Sequence, residues 1–108
     1  MELVRIAGLS GDPLAAAATF LDEWSARLAA APGEGDLLLI FPVADHAHHG
    51  WRLAAVQMLA RRLAPRRINA VASDSEAAIA AAATYLANAP GLTGQVLGLD
   101  PTGAAAPR

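Results

Sequence analysis

All three histidines of the chain fall within four positions, in Asp45-His46-Ala47-His48-His49. Carboxylate and imidazole are suitable metal ligands, and imidazole is also the commonest general base. Asp45, His46, His48 and His49 are therefore the candidate metal ligands, and His49 is the candidate catalytic base. The spacing argues against both roles. Adjacent His48 and His49 cannot easily point at one ion, and His46 and His48 share a side only in an extended chain. There is no cysteine to complete a ligand set, and His49 has neither an evident nucleophile nor an orienting group. The plainer expectation is a solvated polar loop, with no bound metal, no cofactor and no catalytic residue.

The residue inventory removes further chemistry. All eight basic residues are arginines, so lysine Schiff bases, a phosphate-loop lysine and a lysine general base are excluded. Without cysteine there is no disulfide framework and no thiol nucleophile. A net charge of −2 gives no reason to expect nucleic acid. No apolar run approaches a membrane span, and Glu2 stands where a signal peptide wants basic residues. A cytoplasmic location is expected. Trp24 and Trp51 could stack a ligand, but both lie on or beside apolar helix faces, which suits core or interface better. Arg61, Arg62, Arg66 and Arg67 could hold phosphate, yet a solvated helix end explains them.

Periodicity predicts the strands and helices around these residues. Leu3 to Ala7 reads as a strand. Asp12-Pro13 then starts a helix with a side-chain cap and a first-turn proline, and Leu14, Ala17, Ala18, Leu21, Trp24 and Leu28 recur at helical spacing. Leu37-Leu38-Leu39-Ile40-Phe41 is apolar at every position, as in a strand buried on both faces. Leu53, Val56, Leu59, Ala60 and Leu63 mark a second helix, and Ile68 to Ala72 a third strand. Ser73 and Glu76 have capping-box spacing for a third helix, and Gln95 to Leu99 is a fourth strand. The whole is βαβαβαβ: one Rossmann-like α/β domain over 1–100, in two or three layers around a four-stranded parallel sheet. Residues 101–108 read as a flexible tail. In such folds chemistry sits beyond the carboxyl ends of the strands. Here those ends carry Ser10 and Asp12, Asp45 to His49, Ser73 and Asp74, and Asp100.

Several stretches resemble the short-chain dehydrogenase/reductase family. "LAAVQMLARRLA" (Leu53 to Ala64), with "RRINAVA" (Arg66 to Ala72), is similar to that family's "KAAV-x-x-LTR-x-LA…IRVNAVAPG". "EAAIAAAATYLANAPGLTGQVLGLDPTG" (Glu76 to Gly103) resembles its ending, "EEIA-x-x-x-x-FLAS…ITGQVL-x-VDGG", and "LLLIFPVA" (Leu37 to Ala44) resembles its "IVNISSVA" strand. The resemblance is good over roughly 36 to 103 and implies the carboxyl-terminal half of that fold. The departures imply a degenerate site. The family's glycine-rich loop has no counterpart, and Gly8 with Gly11 is no dinucleotide fingerprint. Its catalytic serine falls near Phe41-Pro42, and its Tyr-x-x-x-Lys falls on His49 and Leu53. The sole tyrosine, Tyr85, lies in the third helix.

The expected function is a non-catalytic scaffold or protein-interaction domain, not an enzyme. Two alternatives stand beside it. One is a small-molecule or metal-binding protein, possibly an enzyme, using the loops around Ser10 and Asp45 to His49. The other is an accessory subunit of a larger dehydrogenase-like partner. The resembled family commonly dimerises through its two corresponding helices. That implies a homodimer through 13–31 and 51–64, with Trp24, Trp51, Ala55, Met58 and Leu59 at or near the interface.

Overall fold

The structure is a computed structural model that describes residues 1–99 and the backbone of the short strand at 105–107. The chain order is β1 (Glu2–Arg5), α1 (Pro13–Thr19), a π-helical segment (Phe20–Trp24), α2 (Ser25–Ala29), β2 (Leu37–Phe41), a 3-10 turn (His46–His48), α3 (His49–Arg62), β3 (Ile68–Ala72), α4 (Glu76–Ala87), β4 (Val96–Leu99) and β5 (Ala105–Pro107). The strands lie in the order β1-β2-β3-β4-β5. The first four run parallel, as the alternation of strands and helices requires. The expected tail contributes a short antiparallel strand beside β4, at Ala105–Pro107. The remainder of 101–108, like the strand-end residue Asp100, lies outside the described residues.

The apolar run Leu37–Phe41 is buried at all five positions, because both faces of the sheet are covered. Its alternate residues serve different layers. Leu37, Leu39 and Phe41 pack with Phe20, Leu28, Val56 and Leu59, under α1–α2 and α3. Leu38 and Ile40 pack with Ile79, Ala82 and Leu86 of α4 on the opposite face. The domain is therefore three-layered. All three strand–helix–strand connections advance across the sheet in the same direction, yet α4 lies on the other face from α1–α2 and α3. The connection β3–α4–β4 must then be of opposite hand to the first two, and left-handed if they follow the general right-handed rule.

Local chemistry sets the helix ends. Asp12 caps α1, its carboxylate accepting from Ala15 N at 2.9 Å, with Pro13 in the first turn. The first long helix is interrupted by its π-helical segment, and the hydroxyl of Ser25, the residue that follows it, donates back to the Leu21 carbonyl inside it. Such back-bonding competes with the regular helical ladder. The third helix starts later than the Ser73–Glu76 spacing suggests. Ser75 is the cap, accepting from Ala78 N, and the Ser73 hydroxyl closes the preceding turn by accepting from Ser75 N.

Arg66 and Arg67 are not a solvated helix end. Arg66 Nε donates to the Gly35 carbonyl at 2.7 Å, tying the loop before β2 to the loop before β3. Arg67 pairs with Asp36 at 2.7 Å and also donates to the Ala89 carbonyl at 2.8 Å, joining the start of β2 to the end of α4. Asn69, buried in β3, donates to the Leu92 carbonyl at 3.0 Å and accepts from Gln95 N at 3.1 Å. Thr93 accepts from Ile68 N, and Gly94, whose φ of 74° suits glycine, donates to the Ile68 carbonyl at 2.7 Å. The two sequence motifs Asn69-Ala70-Val71 and Thr93-Gly94-Gln95-Val96 are thus halves of one hydrogen-bonded joint.

Candidate functional site

Beyond the carboxyl ends of β2 and β3, the loops leading to α3 and α4 enclose a cavity of ≈ 390 Å³. From the first loop it is lined by Val43, Ala44, Asp45, His46 and His49. Ser73, Asp74 and Ser75 come from the second, and Ala78, Val96 and Leu97 form apolar wall. Strand-end placement is where an open α/β sheet collects ligands.

The three histidines go to different places. His46 and His49 stack at the cavity, ring centroids 6.0 Å apart. His48 turns inward, 6% exposed. Its Nε2 lies 3.0 Å from the Gly11 carbonyl, and its Nδ1 lies 3.0 Å from the indole Nε1 of Trp51. A carbonyl only accepts and an indole N–H only donates, so both contacts together require Nε2–H and a bare Nδ1. His48 is thus a structural clasp between the β1–α1 loop and α3, a correction to the expectation of a wholly solvated loop. Asp45 caps the 3-10 turn, accepting from Ala47 N at 3.1 Å. Among the described residues no three His, Cys, Asp or Glu side chains come together to hold an ion. Asp45, His46, His48 and His49 are not gathered into one ligand set.

Other candidates also find structural places. Ser10 accepts from Asp12 N at 3.0 Å and does not line the cavity, so the alternative site around Ser10 and Asp45 to His49 is divided. Trp51 closes an aromatic cluster, its centroid 5.6 Å from that of Phe20 and 5.7 Å from that of Phe41. Trp24 is half-buried under the Arg27 guanidinium, 4.2 Å from its ring centroid. Ala55 and Leu59 are buried at 1% and 4% and face the core of their own chain, so neither is available to a partner, a correction to the expected interface. They sit on the stripe of α3 that packs on the sheet, whereas Met58 lies on the outer side.

The residue that sequence reasoning missed is Arg52, 6% exposed and part of the cavity lining. Its Nη1 donates to the Pro42 carbonyl at 3.0 Å, and its guanidinium carbon lies 4.6 Å from the Phe41 ring centroid. Its Nε is buried without a hydrogen-bond partner. Burial lowers its pKa from the ordinary arginine value. A signal was present: Arg52 occupies a core-facing position of α3, four residues before Val56, where a solvated cation has no business.

The site and the layers define a Rossmann-like α/β protein with a strand-end cavity. A family model described as SDR-like, short chain dehydrogenase-like protein, matches residues 4–99, and the chain belongs to that family. No curated protein and no solved structure matches it.

A nicotinamide cofactor does not fit the residues present. Leu53, at the position of the family's lysine, is an apolar side chain packed on the core.

Proposed function

We propose that this chain is a non-catalytic member of its family that works as a scaffold, pairing with a second copy through the outer side of α1–α2 and α3. The carrying observation is apolar exposure on that layer. Leu14 is 81% exposed, Leu21 46% and Met58 45%. Ala15, Ala18, Ala54 and Gln57 on the same helices are exposed as well. The only cation on α3 before its last turn, Arg52, is buried. Exposed large apolar side chains grouped on one face mark association surfaces. Small alanines between them let a facing helix approach closely, and a two-fold contact would set α3 against its symmetry mate. The absent Tyr–Lys pair, with His49 and Leu53 in its place, supports the non-catalytic half of the reading.

Sedimentation velocity tests the pairing. The expected result is a dimer at micromolar concentration that Met58→Arg or Leu21→Arg converts to a folded monomer. A wild-type chain that stays monomeric at high micromolar concentration overturns it. Calorimetry with NADH and NADPH tests the other half, and micromolar binding of either would defeat it.

A further inference from the structure

We propose that the strand-end cavity is a binding site for a small organic carboxylate, held by Arg52 at its buried end. A guanidinium carries five N–H donors and stays charged in proteins. Among the described residues the ion pairs are Arg5–Glu76 and Arg67–Asp36, and neither involves Arg52. Its neighbours are one carbonyl, from Pro42, and the rings of Phe41 and Trp51, at 4.6 and 5.7 Å. Stacking on a ring satisfies the guanidinium face, Nε is sealed away without a partner, and Nη1 donates to the Pro42 carbonyl, so the remaining Nη N–H groups are the ones an acceptor in the cavity can meet. No described carboxylate lies within ion-pair distance of this buried cation, and an anion in the adjoining cavity would supply that partner. A carboxylate matches the planar edge of a guanidinium in a way that spherical anions do not.

The rest of the lining narrows the ligand. Asp45 and Asp74 add two carboxylates to the cavity wall. They repel a phosphate dianion more strongly than a monoanion, and they suit a ligand whose far end donates hydrogen bonds. Ser73, Ser75, His46 and His49 offer further polar contacts, and ≈ 390 Å³ is at the small end of ligand cavities. The chemical class is therefore a short hydroxy or amino acid. Its residues on α3, His49 and Arg52, lie in the first turn of that helix, and the assignment does not depend on dimer formation.

The test is a series of NMR titrations of the ¹⁵N-labelled chain with L-lactate, glycine, inorganic phosphate and sodium chloride, at pH 7 and constant ionic strength. Saturable millimolar shifts are expected for lactate or glycine at the Ser73, Ser75, Ala78 and Gly98 amides, with phosphate weaker. Asp74→Asn, on an exposed residue, should tighten lactate binding about three- to five-fold by removing one nearby like charge. Arg52→Met should abolish the shifts, and if that variant does not fold, Asp74→Asn still decides. Shifts indistinguishable from those with chloride, tighter binding of phosphate than of either acid, or no change of lactate affinity in Asp74→Asn would each overturn the assignment.

Discussion

The indole N–H of Trp51 donates to Nδ1 of His48 at 3.0 Å, while the other ring nitrogen of the same histidine meets the Gly11 carbonyl. One side chain thereby joins the loop after β1, the 3-10 turn and the first turn of α3. Removing it leaves a carbonyl and an indole N–H to find new partners. His48→Ala should cost about 2 kcal/mol of unfolding free energy. His46→Ala and His49→Ala, which break no such pair, should stay within about 0.5 kcal/mol of the parent chain. Urea denaturation followed by tryptophan fluorescence checks both. Equal losses at all three positions would contradict the structural role of His48.

The Asp36–Arg67 pair should make stability depend on pH. Burial of Asp36 by itself raises its pKa, but hydrogen bonds from the Arg67 backbone and side chain, with the guanidinium charge, outweigh this and hold it below the ordinary value. A carboxyl lowered in the folded state contributes stability in full above its unfolded pKa, about 3.9 for Asp, and loses it as pH falls through the folded value. Asp36→Asn should therefore cost about 1–2 kcal/mol at pH 7. The difference from the parent chain should shrink as the pH falls below about 4. A gap that widens with acid would contradict this assignment.

Asn69 should be intolerant of apolar replacement despite its apolar surroundings. Both ends of its amide are used, toward Leu92 and Gln95. Asn69→Leu is close in volume but would strand a carbonyl and an amide N–H, at a cost of about 2–3 kcal/mol. Thermal denaturation provides the measurement, and a Leu variant as stable as the parent would refute the joint's importance.

The two faces of α3 should respond oppositely to arginine. Ala55→Arg would force a long cation into a site that is 1% exposed, so a loss of cooperative folding is expected. Met58→Arg should leave the far-ultraviolet circular dichroism unchanged and alter only the sedimentation coefficient.

Strand and helix types were legible in the sequence because Leu37–Phe41 and the 53-56-59-60-63 stripe are strong periodic signals. Orientation around the helix was less so. Ala54, Ala55, Met58 and Leu59 are all small or apolar, so only packing separates the outer pair from the inner pair. Within the histidine loop, which is otherwise mostly exposed, the burial of His48 was not legible for a related reason. A polar run signals solvent, and nothing local reveals that His48 has a carbonyl 37 positions away to meet. Arg52 was hidden by its type, since arginine is ordinarily a surface residue. The start of α4 was misplaced because Ser73 and Ser75 both suit a cap, and only the fold of the turn selects the second.

The connection of opposite hand around α4 bears on the order in which the chain assembles. β1, β2 and β3, with α1–α2 and α3, form a unit whose two connections share one hand. Adding α4 and β4 means passing the chain to the other face, and the contacts that fix that passage are polar and specific: Arg67 to Ala89, Asn69 to Leu92 and Gln95, Ile68 to Thr93. Our hypothesis is that this segment docks last and that Asn69 substitutions mainly speed unfolding. Pulse-labelled hydrogen exchange would then show the β2 and β3 amides protected before those of α4. If α4 is protected first, the passage between faces is made early, and the chain commits to its less favoured hand before the rest of the sheet exists.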